Sequence, residues 1–119
     1  MFKALPLVAL LFAVSPAHAA TLTALEQTHC RAVGQTLMRL GKAEAEVAAL
    51  LKDKLGANAS DKDKKTVADY QVLAESTLAL GKSLEDTFTQ ATPPSVDDLR
   101  ALEGAGMDSL TDAAQACTR

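Results

Sequence analysis

The chain contains very few aromatic side chains and no isoleucine. Its 119 residues include no tryptophan, one tyrosine and three phenylalanines. Phe2 and Phe12 lie in an N-terminal segment that we expect to be removed, which leaves Tyr70 and Phe88 for the folded domain. A core built from leucine, alanine and valine favours helices that approach each other closely. It argues against a roomy pocket lined by aromatic rings, the usual site for a small molecule.

Residues that carry catalysis, metal binding or nucleic-acid binding are scarce as well. The sequence has two histidines and two cysteines, with no Cys-x-x-Cys pair and no Gly-x-Ser-x-Gly turn. The four ligands of a structural zinc site cannot be assembled from them, and a hydrolase triad would need an activated nucleophile beside His29. A basic patch with interspersed aromatic residues is also missing. We therefore expect a protein that is not an enzyme, holds no metal or cofactor and binds no nucleic acid.

The N-terminus has the parts of a signal peptide. Lys3 precedes an apolar run over residues 4–14, and Ala17-His18-Ala19 supplies the small residues that signal peptidase requires. We predict a signal peptide over residues 1–19, with cleavage after Ala20 as the alternative. The apolar run of about eleven residues is shorter than the ~20 that span a bilayer. We therefore expect an exported protein, in a bacterial periplasm or secreted.

The two cysteines, Cys30 and Cys117, lie towards the two ends of the remaining domain, residues 20–119. A distant pair in a small exported domain favours a disulfide. Closing so long a loop is worth ~4–5 kcal/mol in the chain-entropy model, and a domain of this size has a marginal core. A free thiol and an intermolecular bridge are the alternatives.

The first predicted helix runs over residues 23–55. Thr23 and Glu26 form a capping box at its start, and Gly56 follows its last turn. Gly41 lies within the helix, and a break there is the alternative, because an internal glycine costs ~1 kcal/mol relative to alanine. The predicted buried stripe of this helix, with one gap at Glu44, consists of Leu22, Leu25, His29, Val33, Leu37, Leu40, Val47, Leu51 and Leu55.

Turn-forming residues 56–61 connect this helix to a second one, which we expect Pro93-Pro94 to end. The tripeptide Leu-Gly-Lys occurs in each helix, at residues 40–42 and 80–82. If the chain reverses at the turn, position n faces roughly position 122 − n, so that Gly41 faces Gly81 and the two backbones approach closely. The predicted buried stripe of the second helix consists of Val67, Tyr70, Leu73, Ala74, Thr77, Leu78, Gly81, Leu84 and Phe88.

The third segment, residues 95–117, must bring Cys117 back to Cys30. An unbroken helix would rise ~33 Å at 1.5 Å per residue, far beyond the ~7 Å Cα separation that a disulfide allows. We therefore predict a turn at Gly104-Ala105-Gly106. The predicted fold class is all-α: a long antiparallel two-helix hairpin, completed by one broken or two short C-terminal helices, with one disulfide. A break at Gly41 would instead give an up-down-up-down bundle.

The charge is unevenly distributed, which favours recognition of a partner. Residues 52–65 hold five lysines against three aspartates, and residues 95–119 hold five acidic residues against two arginines. Such asymmetry steers association. We expect an accessory, chaperone-like, inhibitor or immunity-type protein that binds another exported or envelope protein. The candidate partner surfaces are Asp97, Asp98, Glu103, Asp108 and Asp112, and Lys62, Lys64 and Lys65.

The alternative class is a carrier of haem or a metal in a helical bundle. His29 paired with Met107 or Met38 offers side chains of the kind that bind haem iron. The haem-attachment sequence Cys-x-x-Cys-His is absent. A packing role for the methionines and a partly buried or capping role for His29 are the simpler interpretations.

Overall fold

The structure, a computed structural model, describes Ala19 and residues 21–118. These residues form four helices: α1 (Ala24–Leu55), α2 (Asp61–Thr87), α3 (Val96–Ala105) and α4 (Met107–Thr118). The predicted all-α hairpin with two short C-terminal helices is confirmed. Apart from Ala19, the predicted signal peptide lies outside the described residues. No helix among the described residues is both long enough and apolar enough to cross a membrane.

The ends of α1 follow from its sequence. The Thr23 hydroxyl accepts a hydrogen bond from the Glu26 backbone N–H at 3.1 Å, and the Glu26 carboxylate accepts one from the Thr23 N–H at 3.0 Å. At the other end, Gly56 has a φ of 66°, which favours glycine, and its N–H donates to the Lys52 carbonyl. The helix continues without a break through Gly41. The alternative break at Gly41 is therefore wrong.

The helix α2 ends at Thr87, well before the two prolines that we expected to end it. Phe88 is buried, and its carbonyl accepts a hydrogen bond from the Ala91 N–H at 3.0 Å. The Arg31 guanidinium of α1 donates to the Ala91 carbonyl at 2.8 Å and pairs with Glu85 of α2 at 3.2 Å. Tertiary contacts with α1 therefore turn the chain before it reaches the prolines.

The two long helices pack closely at glycines, but in a different register from the one predicted. A Cβ atom on Gly81 would lie 2.7 Å from the Gly34 carbonyl oxygen and 2.8 Å from the Met38 backbone nitrogen. A Cβ atom on Gly41 would lie 2.9 Å from the Leu78 backbone nitrogen. Gly41 therefore faces Leu78 and not Gly81. The predicted register centred the reversal on Asp61, whereas Asp61 is already the first residue of α2.

The predicted turn between α3 and α4 is confirmed. Ala105 ends α3, and Gly106 has a φ of 90°, a backbone conformation that favours glycine. The chain then reverses, and α4 brings Cys117 to a Cα separation of 5.7 Å from Cys30, with which it forms a disulfide. The core lies around this disulfide, between both long helices and α4. Its buried members are Cys30, Val33, Leu37, Leu80, Leu84, Phe88, Leu110, Ala114 and Cys117.

The buried faces of the hairpin contain smaller and more polar residues than predicted. In α1, three predicted stripe positions are exposed, while Glu44 at the gap is buried. The reason is that the helices meet at small residues, which rotates the contact line away from the larger apolar ones. The exposed positions are Leu25, His29 and Val47 in α1 and Tyr70 in α2. The unpredicted buried ones are Ala32, Gly34, Thr36, Glu44 and Ala48 in α1 and Ser76 and Leu80 in α2.

Candidate groove and exposed hairpin face

An open groove lies where α3 and α4 turn against the hairpin. It has a volume of about 630 Å³. All four helices contribute to it, and most of the side chains that line it are apolar. These apolar wall residues are Leu40 of α1, Leu73 of α2, Leu102 of α3, and Met107 and Leu110 of α4. We call this site the Glu44 groove, after the carboxylate that lines it.

Glu44 is the unexpected residue of this groove. Only 9% of it is exposed, and its Oε1 atom has no hydrogen-bond partner. Burial raises the pKa of the Glu44 carboxyl, because desolvation disfavours the charged form. A hydrogen bond with the Thr77 side chain lowers the pKa of Glu44 and so opposes this rise. The Thr77 hydroxyl has a single proton, however, and it donates that proton to the Leu73 carbonyl at 2.8 Å. The Glu44 side chain at the groove wall therefore has one oxygen, Oε1, that is shielded from solvent and has unused hydrogen-bonding capacity.

An ion pair lies at the edge of the groove. Arg39 of α1 contacts Glu103 of α3 at 2.8 Å, with their side chains 61% and 45% exposed. Such exposed pairs contribute ~0–1 kcal/mol to stability. The pair links α3 to α1 beside the groove, and it engages Glu103, one of the predicted partner residues. Arg39 and Glu103 are the other charged residues that line the groove.

Beyond the groove, one side of the hairpin lacks a covering helix. The helices α3 and α4 have 10 and 12 residues, against 32 and 27 in α1 and α2. At 1.5 Å per residue they reach along ~15–18 Å of a hairpin of ~40–48 Å. No other element of the described chain lies over the remainder. The uncovered part ends at the lysine-rich turn.

The uncovered part of this side presents apolar side chains to solvent. Leu40 and Ala43 line the groove, and Val47 and Leu50 follow at spacings of four and three residues, which places them on the same side of α1. Val47 is 41% exposed and Leu50 61% exposed. We call Val47 and Leu50 the bare face.

A second groove of about 520 Å³ lies beside the disulfide. Leu22, His29 and Cys117 are among the residues that line it, and His29 is exposed there. Met107 lines the other groove, and Met38 packs against Gly81. The structure therefore does not bring His29 together with either methionine. Among the described residues, no group of three or more His, Cys, Asp or Glu side chains is placed to hold a metal ion.

The predicted charged surfaces lie in different parts of the molecule. Lys62, Lys64 and Lys65 are exposed near the start of α2, and Lys65 pairs with Asp69 at 3.4 Å. The acidic residues lie on α3 and α4, which pack against the opposite half of the hairpin. Asp98 caps its own helix, since its carboxylate accepts from the Ser95 N–H at 3.4 Å. Asp97, Asp108 and Asp112 are exposed.

Glu44 was not predicted as a site residue, although the sequence contains a signal at this position. A charged residue interrupted an otherwise regular apolar stripe, and that interruption coincides with the buried carboxylate. The structure thus defines a small all-α, disulfide-linked helical bundle with an apolar groove and a bare face. No family model matches this chain, and no curated protein or solved structure matches it either.

Proposed function

We propose that the mature chain is a small periplasmic protein that acts by binding another exported protein through the bare face. The observation that carries the proposal is the uncovered apolar side of the hairpin, with Leu50 61% exposed. Contiguous exposed apolar surface on a soluble domain is a mark of interaction sites. Export is supported by the signal-like N-terminus and by the disulfide, since disulfides persist in oxidising compartments.

The chemistry of the bare face suggests the chemistry of its partner. Lys54 follows Leu50 by four residues, and Lys62 and Lys65 lie at the same end of the hairpin. A matching partner is an amphipathic helix with an apolar stripe and acidic residues at one end, the helix-in-groove mode of recognition. The helices α3 and α4 already pack on the same side of the hairpin, near the disulfide. A partner helix nearer the lysine-rich turn would continue that packing.

Site-specific photo-crosslinking in the periplasm of the native host tests this proposal. A photoreactive amino acid replaces Leu50, and matched variants carry it at Ala45, exposed on another side of α1, or at Asp112 on α4. We expect one discrete adduct from position 50 and none from positions 45 and 112. The purified partner should then bind the Leu50→Glu variant at least about tenfold more weakly than the native chain, a loss of ~1.4 kcal/mol.

Other outcomes would overturn parts of the proposal. An adduct from position 112 alone would place the partner on the acidic helices. An adduct of twice the chain mass would identify a second copy of this chain as the occupant. No adduct at any position, or protein recovered with an uncleaved N-terminus outside the periplasm, would contradict the proposed function itself.

A further inference from the structure

The Glu44 groove has the size and lining of a small-molecule site. Its volume of about 630 Å³ falls within the ~300–1,000 Å³ range of ligand pockets. Such pockets combine apolar walls with a few polar groups that orient the ligand. Here the walls are leucine and methionine side chains from four helices. The buried polar groups are the Glu44 carboxylate and the Thr36 hydroxyl, which already donates to the Ala32 carbonyl.

Glu44 determines which ligand chemistry fits. Its Oε1 atom is buried without a hydrogen-bond partner, and an unsatisfied buried acceptor carries a desolvation cost. A ligand that donates a hydrogen bond removes this cost, and one with a positive charge also stabilises the ionised carboxylate. A ligand with its own carboxylate would instead be repelled. The apolar walls require the rest of the ligand to be hydrocarbon.

We propose that the Glu44 groove binds a small apolar amine, with the ammonium group on the Glu44 carboxylate and the hydrocarbon part against Leu73, Leu102 and Met107. This site is separate from the bare face and does not depend on a protein partner. The flexible Met107 side chain suits a site that adapts to the shape of an aliphatic ligand. Arg39 and Glu103 pair with each other at the mouth of the groove. The buried Glu44 carboxylate is therefore the charged group that remains to bind the ammonium group.

The two methionines of the mature chain provide an internal control for the test. Met107 lines the groove, whereas Met38 packs against Gly81 between the two long helices. With methyl-labelled methionine, titration of n-octylamine should shift the Met107 methyl resonance in the NMR spectrum and leave that of Met38 in place. Octanoate and n-octanol, of the same chain length, serve as matched ligands.

Two variants distinguish binding to the Glu44 carboxylate from general hydrophobic binding of octylamine. We expect Glu44→Gln to weaken octylamine binding at least about tenfold, and the same change at exposed Glu46 to leave it unaltered. Octylamine affinity should increase with pH as Glu44 ionises. The other charged groups that line the groove are Arg39 of α1 and Glu103 of α3, and the lining residues of α2 and α4 are uncharged. The pH dependence should therefore disappear in Glu44→Gln and persist in Glu46→Gln.

Three results would overturn the proposal: no Met107 shift with octylamine, equal binding by octanoate or octanol, or unchanged octylamine binding in Glu44→Gln. A circular dichroism spectrum that matches the native one confirms that the variant is folded. Because Leu50→Glu should leave octylamine binding intact, failure of the amine site and failure of the proposed protein partner are distinguishable.

Discussion

Glu44 is the residue at which the fold departs most from a simple apolar core. The site lies one turn beyond Gly41, where the backbones of α1 and α2 are close and a carboxylate is shielded from water. A buried carboxylate is destabilising when it is ionised and unpaired. The side chain at position 44 therefore makes the stability of the whole bundle depend on pH.

Replacing Glu44 with glutamine should stabilise the protein at neutral pH. The folded chain holds the Glu44 proton more tightly than the unfolded chain, because burial raises the pKa of this carboxyl above its ordinary value of 4.5. The free energy of unfolding therefore falls as the pH rises from about 4.5 through the folded-state pKa. Each unit of difference between the two pKa values corresponds to about 1.4 kcal/mol.

The measurement is urea unfolding of the native chain, Glu44→Gln and Glu46→Gln between pH 4 and pH 8. We expect the difference in stability between Glu44→Gln and the native chain to grow in favour of the glutamine variant as the pH rises. Glu46→Gln should follow the native curve. A glutamine variant that is less stable than the native chain at neutral pH would show that an ionised Glu44 makes a favourable contact.

Some residues of this fold could be placed from the sequence alone, and others could not. Thr23, Gly56 and Gly106 act through local backbone geometry, so a single sequence is enough to place them. Cys30 and Cys117 added a distance constraint, which located the α3–α4 turn. The burial of Glu44 depends instead on how α2 lies against α1, and small residues left that contact line undetermined. The groove could not be predicted because it exists only where four helices meet.

At the scale of the elements, the hairpin depends on direct backbone-to-backbone contacts between α1 and α2 at its glycines. A Cβ atom on Gly81 would meet backbone atoms of α1 at 2.7 and 2.8 Å, and a Cβ atom on Gly34 would meet the Gly81 carbonyl oxygen at 2.9 Å. Backbone atoms within two helices cannot move aside as a flexible side chain can. Both helices would have to separate to admit one methyl group, which would loosen the leucine contacts beside it.

Gly81→Ala should therefore destabilise the bundle by about 1–3 kcal/mol, the usual cost of overpacking. Gly104→Ala is the matched control, because Gly104 lies in α3 and a Cβ atom there has no neighbour within 4 Å. Alanine at position 104 should stabilise the chain by up to about 1 kcal/mol through helix propensity. Chemical unfolding of the two variants measures both effects, and equal stability of Gly81→Ala and the native chain would mean that the helices separate easily.

At the scale of the whole molecule, the chain is an elongated body of 53 × 28 × 20 Å. The disulfide and the core lie at one end, and the lysine-rich turn lies at the other. Only two helices form the distal half, so its backbone hydrogen bonds are closer to solvent than those near the disulfide. This arrangement provides a stable base for the C-terminal helices and leaves the distal half accessible to solvent.

The disulfide should contribute most to holding the short helix α4 against the hairpin. The Cys30–Cys117 bond closes a loop with a sequence separation of 87, which corresponds to about 4–5 kcal/mol in the chain-entropy model. The short helix α4 buries few large side chains besides Leu110, so α4 should detach first when the bond is reduced. In a domain of this size, each kcal/mol shifts Tm by about 4–8 °C.

We therefore expect reduction, or the double change Cys30→Ser and Cys117→Ser, to lower Tm by more than about 15 °C. Reductant should have no effect on the double variant, which controls for its other actions. Hydrogen exchange of the reduced chain should show faster exchange over residues 107–118 than over residues 30–37 of α1, because α1 remains packed against α2. If Tm fell by only a few degrees and both segments exchanged alike, the helices alone would hold the C-terminal segment in place.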